Sequence, residues 1–174
     1  MKTSLLLVLS LVSLFFSTSA AAIADIKGYY LGGLGGYSQY TEASSDESSF
    51  SYGAYGGYYT SKDFALETTY FRTGNLADNL DANYVSLSAK FHHYFSNTYS
   101  MFIKVGVASV DVNGIYSYDG IGWLWGAGFN MALSKNINIR LGYERVMTEL
   151  EAPGLVDTVD TDLGSAYLGV HYQF

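Results

Sequence analysis

Apolar and polar side chains alternate with a period of two along most of this chain. The final segment places Leu168, Val170, Tyr172 and Phe174 in one row and Tyr167, Gly169, His171 and Gln173 in the other. The segment before it sets Ile137, Ile139, Leu141 and Tyr143 against Asn138, Arg140, Gly142 and Glu144. Upstream, Phe64, Leu66, Thr68 and Tyr70 oppose Ala65, Glu67, Thr69 and Phe71. Val85, Leu87, Ala89 and Phe91 oppose Ser86, Ser88, Lys90 and His92, and Met101, Ile103, Val105 and Val107 oppose Phe102, Lys104, Gly106 and Ala108. Trp123, Trp125, Ala127, Phe129 and Met131 oppose Leu124, Gly126, Gly128 and Asn130. Successive strand residues point to opposite faces, so each of these segments predicts a strand with one apolar face. Glycines dilute the pattern in the first two segments, where Tyr29, Leu31 and Tyr37, then Phe50, Tyr52, Ala54 and Tyr58, are assigned to the apolar face.

Eight strands are predicted, at 28–40, 49–59, 63–73, 83–95, 99–111, 120–133, 137–146 and 165–174. Their connections alternate in length. Thr60-Ser61-Lys62, Ser96-Asn97-Thr98 and Ser134-Lys135-Asn136 read as short polar turns, whereas 41–48, 74–82, 112–119 and 147–164 read as longer loops. Arginine and glutamate interleaved with large apolar residues fit a membrane barrel, whose apolar row faces lipid and whose polar row faces the lumen. The expectation is an all-β fold, an eight-stranded antiparallel up-and-down transmembrane β-barrel. Each strand is long enough to cross, since a tilted spanning strand needs about 9–11 residues.

The start of the chain follows a different pattern. Leu5 to Phe16 is mainly apolar, follows Lys2, and leads to Ala22-Ile23-Ala24. A positive start, a short apolar run and an A-x-A site read as a cleaved secretory signal. Residues 1–24 are expected to be that signal and 25–174 the barrel domain, with cleavage after Ala20 as the alternative. Beyond the signal no run of 18 apolar residues occurs, so no helix is expected to span a bilayer. The 174 residues include no cysteine, so a secreted product must be stable without disulfides.

Charge sorts with the predicted connections. Of the 16 acidic residues, twelve lie in or beside the four longer loops, and no lysine or arginine lies within those loops. Lys62 and Lys135 occupy short turns. Short periplasmic turns and longer external loops are the usual asymmetry of such barrels. Both termini are therefore expected on the periplasmic side, with four acidic loops outside.

These residues resemble the N-terminal transmembrane barrel of the outer membrane protein A family. The resemblance runs through Tyr29-Tyr30-Leu31-Gly32, Gly35-Gly36-Tyr37-Ser38-Gln39-Tyr40 and Gly53-Ala54-Tyr55-Gly56-Gly57-Tyr58. It continues through Glu67, Tyr70, Val85-Ser86-Leu87-Ser88-Ala89-Lys90-Phe91 and Arg140-Leu141-Gly142-Tyr143, in the same order. It implies a location in the outer membrane of Gram-negative bacteria and an interior charge network containing Glu67, Lys90 and Arg140. An acidic partner expected in that network is replaced here by Asn130. The chain stops where that barrel stops, so peptidoglycan anchoring by a following domain is not carried over. Tyr172-Gln173-Phe174 resembles the C-terminal signal read by the barrel assembly machinery, with Tyr172 and Phe174 as its aromatic positions.

Candidate chemistry follows from the polar row. Glu67, Lys90, Lys104, Arg140 and Glu144, with Asn130, form the predicted lumen charge network. An eight-stranded barrel is just wide enough to be filled by its own side chains, and desolvated charges must pair. The favoured reading is a charge-plugged barrel with a structural, membrane-integrity or surface-interaction role; the alternative is a small gated, porin-like channel. A lipid-modifying enzyme would need catalytic groups at the outer rim, but His92, His93 and His171 all fall at the periplasmic end. No catalytic residues are therefore assigned. Glu149, Glu151, Asp157, Asp160 and Asp162 cluster without the D-x-D-x-D-G calcium spacing, so no metal or other cofactor is assigned. A soluble barrel enclosing an apolar ligand would point its apolar rows inward, against the pattern here. Expected partners are outer-membrane lipids, lipopolysaccharide and, during insertion, the barrel assembly machinery. No nucleic acid is expected, and the protein is expected to be a monomer.

Overall fold

The computed structural model describes residues 27–42, 45–74, 81–113, 117–150 and 159–174. Eight strands run in chain order: β1 Gly28–Glu42, β2 Ser45–Ser61, β3 Phe64–Thr73, β4 Asp81–Tyr94, β5 Tyr99–Asn113, β6 Ser117–Ala132, β7 Ile137–Leu150 and β8 Val159–Gln173. Each pairs antiparallel with its neighbours, and β8 closes on β1, giving one closed barrel. Closure leaves no unpaired edge, which a strand in hydrocarbon requires. No helix among the described residues is long and apolar enough to cross a membrane.

All eight expected strands are present, but several are longer than the alternation indicates. β2 starts at Ser45 instead of 49, β7 runs to Leu150 instead of 146, and β8 starts at Val159 instead of 165. The expected loops 41–48 and 147–164 therefore shrink, because backbone pairing continues through Thr41↔Asp46 and Glu149↔Asp160. Alternation reports one apolar face and fades where both faces carry polar residues, whereas the hydrogen-bond ladder needs only backbone. The expected signal at 1–24 lies outside the described residues.

At the opposite end, two turns share one device. Ser96 Oγ accepts from the backbone N–H groups of Thr98 and Tyr99, and Ser134 Oγ accepts from those of Asn136 and Ile137. A short hydroxyl side chain that satisfies turn amides explains why serine opens both reversals. The first turn falls at 62–63, later than expected, because β2 continues through Ser61 with a register shift after Tyr59. Phe174 N donates to Tyr29 O at 2.9 Å, fastening the last residue to the start of β1 at this end of the barrel.

The two rows separate cleanly. Leu31, Leu66, Leu87, Ile103, Phe129, Leu141 and Leu168 are exposed on the outside, while Tyr55, Phe71, Tyr84, Leu124 and Tyr167 are buried within. The aromatic residues assigned to the outer face (Tyr29, Tyr58, Tyr70, Trp123, Trp125, Tyr143, Tyr172 and Phe174) are all exposed there. Inside, large rings lie against glycines. A Cβ added at Gly142 would meet the Tyr167 ring at 2.5 Å, so the ring occupies the space a side chain would need.

Candidate functional site

Glu67 on β3 is the centre of the lumen. Lys90 on β4, Lys104 on β5 and Arg140 on β7 converge on it because all four lie on inward rows of their strands. Lys90 Nζ donates to Glu67 Oε2 at 3.1 Å, and Lys104 Nζ donates to Oε1 at 3.2 Å. Arg140 Nη1 donates to Oε1 at 3.0 Å, while Nη2 lies 2.8 Å from Oε2. Tyr30 OH adds a further donor at 2.6 Å. One carboxylate thus accepts from four side chains.

Glu144 forms the second acidic point. It lies 2.6 Å from Lys104 Nζ, and Tyr84 OH donates to its Oε2 at 3.3 Å. Lys104 and Glu144 are on β5 and β7, and the β6 residue in register between them is Gly126. A Cβ at Gly126 would meet Glu144 Cγ at 3.2 Å and Lys104 Cε at 3.3 Å. The missing side chain lets the pair meet across an intervening strand. Arg140 Nη2 and Glu144 Oε1 are close to their charged partners but off the hydrogen-bonding direction, so these two contacts are ion pairs only.

Glu67, Lys90, Lys104, Arg140 and Glu144 are each at most 1% exposed. Their mutual attraction is therefore little screened, but so is the desolvation that opposes it. Aromatic faces complete the enclosure. The Arg140 guanidinium lies 4.1 Å from the Tyr55 ring centre, and Lys90 Nζ lies 4.4 Å from that of Phe102. Asn130 is brought into the same layer, its Oδ1 accepting from Arg140 Nε at 3.3 Å. Tyr30, Tyr55, Tyr84, Phe102 and Gly126 had no site role in the sequence reading. Phe102 and Gly126 stood in the inward rows of the alternation, but which ring meets which cation depends on strand stagger around the barrel.

The histidines divide as their rows require. His92 and His171 are buried in the lumen, whereas His93 faces outward. Tyr59 OH lies 3.2 Å from His92 Nε2, Asn130 Nδ2 lies 3.4 Å from His92 Nδ1, and Tyr55 OH lies 3.0 Å from His171 Nδ1. Tyr172 on the outer face of β8 and Phe174 just beyond the strand are both exposed, their rings 5.2 Å apart. Of the acidic loop cluster, Glu151 and Asp157 and the side chains of Glu149 and Asp160 lie outside the described residues. Asp162 lies within β8, where it accepts from Arg145 Nη2. No group of three or more metal-ligating side chains occurs among the described residues.

A sequence profile of the outer membrane protein beta-barrel domain matches residues 8–174. Solved structures share the architecture. Neisserial surface protein A (NspA) superposes with a TM-score of 0.70 at 15% identity, over 84% of this chain and 97% of its own. The N-terminal β-barrel domain of Pseudomonas aeruginosa OprF gives 0.57 at 17% identity, over 83% of this chain and 97% of that domain. Ail, the attachment invasion locus protein of Yersinia pestis, gives 0.57 at 17% identity, covering 85% of this chain and 99% of Ail. At such identities the likeness concerns the fold alone. No curated protein matches the sequence.

Proposed function

The chain belongs to the outer membrane protein beta-barrel domain family, and from that premise we propose that it is a rigid outer-membrane barrel plugged by its own charge layer. Its role in this reading is to maintain the membrane and present an external surface, not to conduct. The carrying observation is Glu67, fully buried and shared by Lys90, Lys104 and Arg140, with Glu144 holding Lys104 from the other side. Opening a path through this layer would separate desolvated charges, and losing a buried partner costs roughly 3–5 kcal/mol. The aromatic rings on Lys90 and Arg140 narrow the same section.

In this reading residues 1–24 direct secretion and are removed, and Tyr172 and Phe174 are the positions read by the assembly machinery. The barrel sits as a monomer among phospholipid and lipopolysaccharide, with its termini in the periplasm. The paired strands that extend β1–β2 and β7–β8 form the surface available to partners, since the barrel serves as a support and function resides at its ends. Planar-bilayer recording of the purified, folded barrel tests the plug. No large, stable conductance is expected. Reproducible porin-sized steps would overturn the reading in favour of a gated channel.

A further inference from the structure

Below the charge layer, toward the end of the barrel that holds Gly28 and Phe174, the lumen opens into a vestibule of about 470 Å³. Ser100, Asn130, Asn138, His171 and Gln173 line it, and each is at most 8% exposed. Asn138 Nδ2 is buried with no hydrogen-bond partner. A buried donor left unpaired costs about 1–3 kcal/mol, which favours an acceptor arriving from outside the chain. Asn130 adds to the donor character. Its Oδ1 is engaged by Arg140, while its Nδ2 has only a 3.4 Å contact with His92 Nδ1.

With all five of its groups ionised, the buried layer behind this floor carries a net positive charge. Among the described residues, Lys90, Lys104 and Arg140 are buried against the two carboxylates Glu67 and Glu144. Three cations against two anions leave one positive charge unmatched. Arg140 lies two positions beyond Asn138 on the same inward row of β7, about 7 Å along the strand. At the rim, Lys62 and Asp63 are exposed neighbours of opposite sign and add little net charge.

We propose that this vestibule binds a small monocarboxylate, which supplies the negative charge that the buried layer lacks. Its oxygens accept from Asn138 Nδ2 and Asn130 Nδ2, and its short apolar part lies in the remaining volume beside Tyr59. A paired acceptor suits two amide donors better than a spherical halide, and the cavity exceeds the volume of a single ion. The inference rests on the buried charge count and the free donor. Conductance does not bear on it, so it and the plug can fail separately.

Saturation-transfer NMR between the folded full-length barrel in detergent micelles and acetate, at constant ionic strength, tests it. Transfer to the acetate methyl is expected to saturate, with chloride competing only weakly. Asn130→Asp places a carboxylate beside Arg140 and should weaken acetate binding about tenfold or more, through like-charge repulsion and the balanced layer. Asn138→Ser should weaken it severalfold. Gel migration with and without boiling shows which variants are folded; if Asn130→Asp is not, Asn138→Ser decides alone. Absence of saturable transfer, or transfer undiminished in the folded variants, would overturn the site. Equal competition by chloride would overturn the carboxylate assignment.

Discussion

Glu67 accepts from three cationic side chains and a tyrosine, so its removal cannot be compensated by one rearranged partner. In Glu67→Gln, Glu144 would be left as the one buried carboxylate among the described residues facing three buried cations. The expected loss is roughly 3–5 kcal/mol of stability, the scale for a buried pair with one member removed. Urea unfolding in lipid vesicles measures it, and an unchanged midpoint would show that the cations are satisfied elsewhere. Two glycines make an opposite pair at this scale. A Cβ at inward-facing Gly36 would sit 2.0 Å from Ala166 O and 2.6 Å from Tyr167 Cα, both backbone atoms that cannot step aside. At outward-facing Gly33 the nearest such atom is 3.8 Å away. Gly36→Ala should therefore lower the unfolding midpoint strongly, while Gly33→Ala should leave it unchanged or slightly raised; equal effects would contradict the assigned facing of β1.

Along each strand the alternation works as a solvent assignment. β3 shows this from Phe64 to Thr73, where burial alternates residue by residue without interruption. β8 continues it, with Leu168, Val170 and Tyr172 outside and Tyr167, His171 and Gln173 inside. Leu168 pairs in register with Gly35 and Leu141, well inside the apolar band. Leu168→Arg should cost about 2–4 kcal/mol, as expected for a cation on the lipid face near the bilayer midplane. Equilibrium folding into vesicles gives the value; a cost near zero would move this position to the interface. Strand existence was legible because β-branched and aromatic residues recur every second position. The outer ends of β2, β7 and β8 were not legible, because the row that is apolar further along each strand carries Asp46 and Ser48, Glu149, and Asp160 and Asp162 there.

For the whole molecule, alternating connections predict an orientation. The turns at 62–63, 95–98 and 133–136 share one end with Gly28 and Phe174, so the four remaining connections share the other. A short epitope inserted between Leu150 and Val159 should be labelled on intact cells, and one inserted at Ser96-Asn97 only after the outer membrane is opened. The reverse pattern would invert the barrel. N-terminal sequencing of the same membrane fraction should begin at Asp25, and a chain beginning at Met1 would remove the signal assignment.

The alternating rows, the eight strands and the inward set Glu67, Lys90, Lys104, Arg140, Glu144 and Asn130 were determined by the sequence itself. Side-chain period and chain continuity decide these locally, before any strand meets another. Closure, register and stagger exist only once β8 lies against β1, and they decide which inward groups touch. They put three cations on Glu67, let Lys104 reach Glu144 past Gly126, and leave Asn138 with a free donor above an open vestibule. A row of inward charges identifies a polar lumen, but contacts between strands distant in sequence depend on barrel geometry, which no local pattern encodes.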